Sequence, residues 1–347
     1  MSDRDRHVCV NIVTWNSENY IADLLDSLKK QTFSDFDIVI IDNASSDKTL
    51  EIASKYENVI FIKNSSNLGF SRAHNKGIEM AMKFWQGKDL RERFVVVCNP
   101  DIILAPDCLE KLLVGICKNG SAGLAGPKLL RMQIEESDNI MENKKSEIID
   151  SLGIEIRKTR KIVDRLSGSP ETNSLQVEEV FGISGAFMCL RASALQSVKW
   201  EREYFDEKFF AYKEDVDLSW RLKNLGWQAV VVPDATAYHH RRVKGEAKAS
   251  FFERLKNKGY QSKRVKFLSI RNHIWTVMKN DFGVNYFLDL PFIIFEEIGK
   301  FVYCLFFDFT NLKAYFSALG GLPEILKKRA YLKNAKIPAS EIREWIK

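Results

Sequence analysis

Residues 38–47 read IVIIDNASSD and residues 94–102 read FVVVCNPDI. Each is a short run of apolar, mostly β-branched residues that stops on an acid, Asp42 in the first and Asp101 in the second. In a parallel α/β sheet the carboxyl ends of the strands open into one crevice, where ligands bind. Two carboxylates at two such strand ends give that crevice the means to grip a ribose or base edge and a divalent metal. The pair therefore points to a nucleotide carried with a metal ion.

The surrounding sequence alternates strand and helix. VCVNIVTW (from Val8) reads as a buried strand, and YIADLLDSLKK (from Tyr20) as an amphipathic helix. FDIVIID is the second strand, and DKTLEIASKY a helix capped by Ser46 or Asp47. VIFIK (from Val59) is a third strand. SRAHNKGIEMAMKFW is a helix, FVVVCN a strand, DCLEKLLVGICK a helix, and AGLAGPKLL (from Ala122) one more strand. This alternation predicts an α/β fold with a parallel, doubly wound nucleotide-binding sheet flanked by helices. No GxGxxG follows the first strand, where the link is TWNSEN, so a dinucleotide held in the Rossmann manner is not expected.

Residues 131–178 are polar and weakly patterned, as expected of an insertion or mobile loop. Order returns at VFGISGAFMCLRASAL, followed by FDEKFFAYKEDVDLSWRLKNLGW and the strand QAVVVPDATAYHH. The first domain is expected to span residues 1–242, and a basic, aromatic helical extension residues 243–347.

The 347 residues carry a formal charge of +6, unevenly spread, and a nucleic-acid partner is not expected. Between Arg241 and Lys279 stand twelve Lys or Arg against two acids, Glu246 and Glu253. Such a block suits an anionic membrane surface or phosphate-bearing ligands, and equally a solvated helical face. Residues 284–309 are rich in aromatics but interrupted by Asp289, Glu296, Glu297 and Lys300, so a spanning helix is not expected. An interfacial amphipathic helix, or a helix packed on the enzyme or on a second subunit such as a homodimer partner, fits the same letters. Six cysteines without a CxxC pair read as free thiols in a reducing compartment. The charged start MSDRDRHV is not a signal peptide, and the expected location is cytoplasmic, with peripheral attachment to the inner face of the plasma membrane as an extension of that reading.

Three constellations carry chemistry. In EDVDLSWR, Glu214, Asp215 and Asp217 cluster at a helix start. Acids there serve the helix dipole, and Asp217 reads best that way, yet a carboxylate facing a cleft can take a proton from an attacking hydroxyl. Asn99-Pro100-Asp101 is either a turn or a site for Mg²⁺ or Mn²⁺, which takes one or two protein oxygens and the rest from phosphate and water. His239, ending the run from Val230, becomes a second ligand if its strand end meets the crevice. In NLGFSRAHNKGI, Gly69 permits close backbone approach, and Arg72, His74 and Asn75 follow in the next helical turn.

Taken together and in this order, VTWN, DNASSD, NLGFSRAHNKG, NPDI, GAFMCLR and FFAYKEDVDLSWRLKNLGW with His239 downstream resemble the inverting family 2 glycosyltransferases of GT-A fold. The resemblance covers residues 8–242 and is nearest the bacterial rhamnosyltransferase-like branch. It implies that Thr14, Asn16, Asp42 and Asn43 hold the nucleoside, and that Asn67, Gly69, Arg72 and Asn75 line the same pocket. It implies Asp101 and His239 as ligands of Mg²⁺ or Mn²⁺ on the diphosphate, Asp215 or its neighbour Glu214 as base, and Trp220 and Arg221 on the acceptor side. The implied donor is a uridine or deoxythymidine diphosphate sugar, rhamnose included, and the acceptor a glycan or lipid-linked glycan of the cell surface. The family's metal motif often opens with Asp where this chain has Asn99, which shifts weight to His239. A nucleotidyltransferase is a rival reading, but it would carry a Gly-rich, basic loop after the first strand. A non-catalytic scaffold of the same fold is the other, and intact Asp101, Asp215 and His239 speak against it.

Overall fold

The computed structural model describes residues 6–137, 140–171, 176–240 and 262–347. Strands β1 (Val8–Thr14), β2 (Phe36–Asp42), β3 (Val59–Lys63) and β4 (Phe94–Cys98) form a parallel block in the order β3-β2-β1-β4. Register aligns Thr14 with Asp42 and Ile12 with Cys98, so both acidic strand ends reach one edge of the sheet. Helices α1 (Ile21–Lys29), α2 (Thr49–Ala53), α3 (Gly69–Phe84) and α4 (Cys108–Cys117) lie between or after these strands. The apolar stripe of α1 (Ile21, Leu24, Leu25, Leu28) and that of α4 pack with Ile12, Ile40 and Val96 on one face. On the other face, Ala73, Ile78 and Ala81 of α3 meet Val39, Val95 and Val97. Helix α2 is shorter than its sequence pattern: Lys48, not Ser46 or Asp47, is its N-cap, although the Asp47 carboxylate accepts from the Thr49 N–H.

The sheet as a whole is mixed, which corrects the parallel expectation. β5 (Ile102–Leu104) and β6 (Ala122–Ser137) follow β4, and β11 (Phe187–Arg191) inserts between β4 and β6, antiparallel to both. The reason is local: Ala186, just before β11, already sits at the carboxyl edge, where its carbonyl accepts from the Asn99 N–H at 2.9 Å. A strand that begins at that edge can only run back. Helix α5 (Ala192–Val198) follows it. The described residues within 131–178, read as an insertion or mobile loop, include several strands. β6 continues to Ser137 and pairs antiparallel with β7 (Ile140–Ser151); β8 (Ile154–Ile156) and β9 (Ile162–Asp164) make a two-stranded sheet. β10 (Glu178–Val180) then joins the edge of β12 (Gln228–His239).

Helix α6 (Glu214–Asn224) links this sheet to the carboxyl-terminal helices α7 (Lys263–Asn280), α8 (Gly283–Leu288), α9 (Leu290–Phe307), α10 (Leu312–Lys328) and α11 (Ala339–Glu344). Buried ion pairs fasten the two parts. Asp217 of α6 accepts from Arg221 at 2.9 Å and from Lys279 of α7 at 3.0 Å, and Lys279 also reaches Asp206 at 2.7 Å. Lys328 of α10 meets Asp206 at 2.7 Å. Arg160, beside β8, meets Asp281 and Asp289 at 2.7 and 2.8 Å. Asp217 is thus a junction between helices, more than a dipole partner. No helix among the described residues is long and apolar enough to cross a membrane, and the basic residues 241–261 lie outside those described.

Removing one partner of a buried pair leaves an uncompensated charge, at a cost of about 3–5 kcal/mol. Asp217→Ala takes the carboxylate from Arg221, leaving it only carbonyl partners, and removes one partner each from Lys279 and the Asn280 amide. Urea denaturation should show a loss of that size; a midpoint like that of the parent would make the junction incidental.

Candidate active site

The floor of the crevice is built by side chains that tie three loops together. Thr14 Oγ1 donates to Asp42 Oδ1 at 2.9 Å, and Ser45 donates to the same carboxylate through its hydroxyl and its N–H. Asn16, at φ +50°, accepts from the Ser46 N–H at 2.9 Å. Asn43 donates to the Gly69 carbonyl and accepts from Asn64, while Asn67 accepts from the Gly69 N–H. Thr14 and Asp42 are therefore buried struts beneath the pocket. Asn43, Asn67, Gly69 and Asp101 face a cavity of about 440 Å³, with Trp15, Tyr20, Asn99 and Tyr212 in the same wall. Gly69 is required where it stands: φ is +81° and a Cβ would lie 2.4 Å from the Phe210 carbonyl oxygen.

Arg72 and Asn75 do not join them. One and two turns along α3, both point to the 204–207 loop: Arg72 Nε meets Glu207 at 2.7 Å, and the Asn75 amide is held by the Phe205 backbone on both its ends. Their expected place in the nucleotide pocket is corrected to a structural one.

The second element is a corner made by a ladder. β5 runs antiparallel to the end of β12, setting His239 opposite Ile102, and the His240 N–H donates to the Asp101 carbonyl at 2.9 Å. His239 Nε2 lies 3.6 Å from Asp101 Oδ1, while Nδ1 contacts Asp150 of β7 at 2.8 Å. Burial works against charge on this imidazole, yet the two carboxylates outweigh it and raise its pKa to about 9. Asp101 Oδ1 is buried and has no hydrogen-bond partner among the described residues. That carboxylate oxygen beside one imidazole nitrogen is a donor set that fits Mg²⁺ or Mn²⁺ where the cation displaces the imidazole's proton, with phosphate and water completing the shell. No cluster of three His, Cys, Asp or Glu able to hold a metal on their own occurs among the described residues.

The third element is the turn before α6. Phe210, Tyr212 and Lys213 all have positive φ, at 64°, 73° and 72°. Backbone in such regions costs about 1–3 kcal/mol per residue and persists only where its surroundings over-determine it. Here Asn272 of α7 donates to three carbonyls, those of Phe209, Ala211 and Tyr212, at 2.9, 2.9 and 2.8 Å. The turn delivers Asp215 to the crevice edge, where Oδ2 accepts from the Gly185 N–H at 2.9 Å. Burial raises the Asp215 pKa, and the N–H groups of Gly185 and Val216 offset that only in part. Glu214 points inward; burial, then the charge of Asp215, pushes its carboxyl well above the usual range, and Oε2 has no partner among the described residues. Asp215 is half-buried.

Trp220 and Arg221 are corrected outright as acceptor-side residues. Trp220 is fully buried edge-on to Phe181, and the Arg221 guanidinium is consumed by Asp217 and by the carbonyls of Val198 and Tyr204. They follow Asp215 by one turn and more of α6, which turns them into the protein. Three residues escaped the sequence reading: Asp150 behind His239, Asn272 beneath the turn, and Arg264, which stacks over Phe210 at 4.5 Å and lines the cavity. Each is far in sequence from the motif it serves, so no local pattern marks it.

A family model described as glycosyl transferase family 2 matches residues 9–195. The chain belongs to glycosyl transferase family 2. An N-acetylglucosaminyl-diphospho-decaprenol L-rhamnosyltransferase of Mycobacterium tuberculosis is 29% identical over 253 residues, covering 66% of this chain and 74% of that one. The rhamnosyltransferase WbbL of Escherichia coli is 26% identical over 236 residues, 67% of this chain and 83% of that one. Residues 1–349 of Staphylococcus aureus TarS, solved with UDP-GlcNAc, superpose with a TM-score of 0.55 at 18% identity, over 92% of this chain and 81% of that one. The family 2 chain is thus rhamnosyltransferase-like, and its fold, carboxyl-terminal helices included, is of GT-A type.

An unsatisfied buried carbonyl costs about 1–3 kcal/mol. Asn272→Ala exposes the Ala211 and Tyr212 carbonyls of the strained turn to that penalty, while the Phe209 carbonyl keeps the Ala211 N–H and Arg271. Amide exchange in residues 209–213 should accelerate, with a stability loss in that range; protection equal to the parent's would show that the turn holds itself.

Proposed function

We propose that this glycosyltransferase moves a sugar, rhamnose first among the candidates, from a dTDP- or UDP-linked donor to a hydroxyl of a lipid-linked saccharide, with inversion at the anomeric carbon. The observation that carries the reading is the Asp101–His239 pair beside the Asn99–Ala186 bond, with Asp215 held on the N–H of Gly185, the residue before Ala186. The mycobacterial relative's named acceptor, a diphospho-decaprenol carrying N-acetylglucosamine, and the UDP-GlcNAc of the TarS structure support the donor and acceptor classes. The free cysteines, five of them buried, fit a reducing, cytoplasmic setting, where cell-surface polysaccharide precursors would be the acceptors.

In this reading the nucleoside lies against Trp15, Asn43 and Asn67, over the struts Thr14, Asn16 and Asp42. The diphosphate reaches Asp101, with Arg264 across the cavity as a counter-charge. Asp101 Oδ1 and His239 Nε2 would hold Mg²⁺ or Mn²⁺, which, when bound, supplies positive charge for the departing diphosphate. Asp150 fixes the imidazole from behind, as outer partners of metal-binding histidines do. Asp215 takes the proton from the acceptor hydroxyl as that oxygen bonds to the anomeric carbon; the bond to the diphosphate breaks and its electron pair leaves with the diphosphate. The Gly185 N–H keeps the carboxylate aimed. Glu214, buried and held toward its neutral form, is the weaker candidate for base.

A nucleotide sugar at about 100 times its dissociation constant stabilises the protein by roughly 2.7 kcal/mol. A thermal-shift panel of dTDP- and UDP-sugars with Mn²⁺ should find one that does so. Asp101→Ala should remove the metal dependence, and Asp150→Ala should weaken Mn²⁺ affinity by about 10–100-fold in calorimetry. Unchanged Mn²⁺ dependence in Asp101→Ala would leave Asp101 as a mere turn residue.

Asp215→Asn should cut transfer by at least ~10²-fold while donor binding survives, with Glu214→Gln milder. The base works deprotonated and its pKa is raised, so activity is lost as pH falls through a value above that of an ordinary aspartate. The acid limb of kcat/KM reads this directly. A limb at the ordinary value, or the reverse ranking of the two variants, would move the role from Asp215.

A further inference from the structure

Helix α9 is built inside out. Its inward stripe is Ile293, Glu296, Glu297, Lys300 and Cys304, with Lys300 bonded to Glu297 at 2.7 Å and His273 of α7 facing the same carboxylate at 3.8 Å. The rest of its circumference is apolar and exposed, with Phe292, Ile294, Phe295, Ile298, Phe301 and Phe306 among its residues, Phe295 at 82% and Phe306 at 72% exposure. Phe316 and Leu319 of α10 extend the same surface, joined through the edge contact of Phe301 with Tyr315. Fifteen of the twenty large hydrophobic residues exposed among those described fall between 284 and 326, on α8, α9, α10 and the turns beside them. Apolar ridges of this extent mark an interaction surface, because a water-facing helix normally turns its charges outward.

Charge around the ridge selects the partner. Every acid between 284 and 328 is engaged: Asp289 by Arg160 and Arg343, Glu296 and Glu297 by Lys300, Asp308 by Lys266, and Glu324 by Lys208. Lys313 and Lys327 are exposed with no acidic partner among the described residues, and Lys158 stands over the Phe292 ring at 5.8 Å. In sequence the ridge follows the block 241–279, with its twelve basic residues against two acids. A second copy seated on the same ridge in a two-fold pair would set these positive rims against each other. An anionic bilayer complements both features, taking phenylalanines into the interface and lysines at the headgroups.

We propose that the outward face of α9 and α10 is a membrane-docking surface that inserts shallowly into anionic lipid. The inference stands on this surface alone and does not depend on which sugar is transferred. Since α7 packs against α10 and also lines the cavity through Arg264 and Leu268, docking would hold the crevice beside the lipid, within reach of a carrier-bound acceptor.

The test is co-sedimentation of the full chain with phosphatidylglycerol-containing and phosphatidylcholine-only vesicles at low and high salt. Binding should need the anionic lipid and weaken with salt. Phe295→Glu with Phe306→Glu and Phe316→Glu should lower partitioning by at least about tenfold, as expected when shallow apolar contact is removed, while nucleotide-sugar binding stays at the parent level. Phe295→Trp, a conservative reporter, should shift its emission to the blue on adding anionic vesicles. A parent protein that stays in the supernatant, as a monomer or as a dimer by light scattering, overturns the proposal, as does a triple variant that still sediments or a reporter whose emission does not move.

Discussion

One side-chain amide holds the reactive part of this protein in place. Asn272 donates to three carbonyls of a turn that contains three non-glycine residues with positive φ. Without those bonds the turn would relax toward ordinary backbone, and the start of α6, with Asp215 on it, would swing from the crevice edge. The same turn supplies the Phe210 carbonyl that Ser71 bonds and that Gly69 alone can approach. Nucleotide loop, base and carboxyl-terminal helix thus meet at one short segment. Arg271, the neighbour of Asn272, adds a contact to the Phe209 carbonyl from the same helix turn.

The buried ion pairs play a different part. Asp206, Asp217, Asp281 and Asp289, with Arg160, Lys279 and Lys328, join chain segments 62 to 129 residues apart, yet such pairs add little net stability over well-packed apolar groups. What they give is a unique register: α7 cannot slide along α6 without stranding Lys279, so Asn272 arrives opposite the turn it serves. The proposed metal corner is set by comparable means, since the β5–β12 ladder fixes Asp101 beside His239 whether or not a cation is present.

Much of this was legible in the sequence, and the parts that were not share a cause. Apolar runs ending in Asp42 and Asp101 located the strand ends, because burial on both faces and a sharp stop leave strong local marks. Asp101 and His239, 138 positions apart, could be paired only through the family resemblance, and the ladder does bring them together. The antiparallel course of β11 was invisible because direction depends on where the preceding chain arrives. Residues 131–178 looked loop-like because they are rich in charge and strands β8 and β9 are only three residues long. Arg72, Asn75, Trp220 and Arg221 follow Gly69 or Asp215 by three to six residues, and over such steps a helix turns a side chain towards a different target. Conversely, Asp150, Arg264 and Asn272 serve the site from distant segments whose local letters are unremarkable.

The closure of the far end of the chain onto its middle has a consequence for biosynthesis. Residue 347 bonds back to residues 156 and 158, and Ile346 bridges to Ile156. Domains fold from the amino-terminal side as the ribosome advances. The parallel block β1–β4 can condense early, but the strained turn waits for residue 272, and Arg160 waits for Asp281 and Asp289. A nascent chain therefore carries an assembled nucleotide floor and an unassembled base until α7 has emerged. Catalytic competence and the apolar ridge thus depend on the same stretch of carboxyl-terminal helices, so the ridge appears only as the base is set in place.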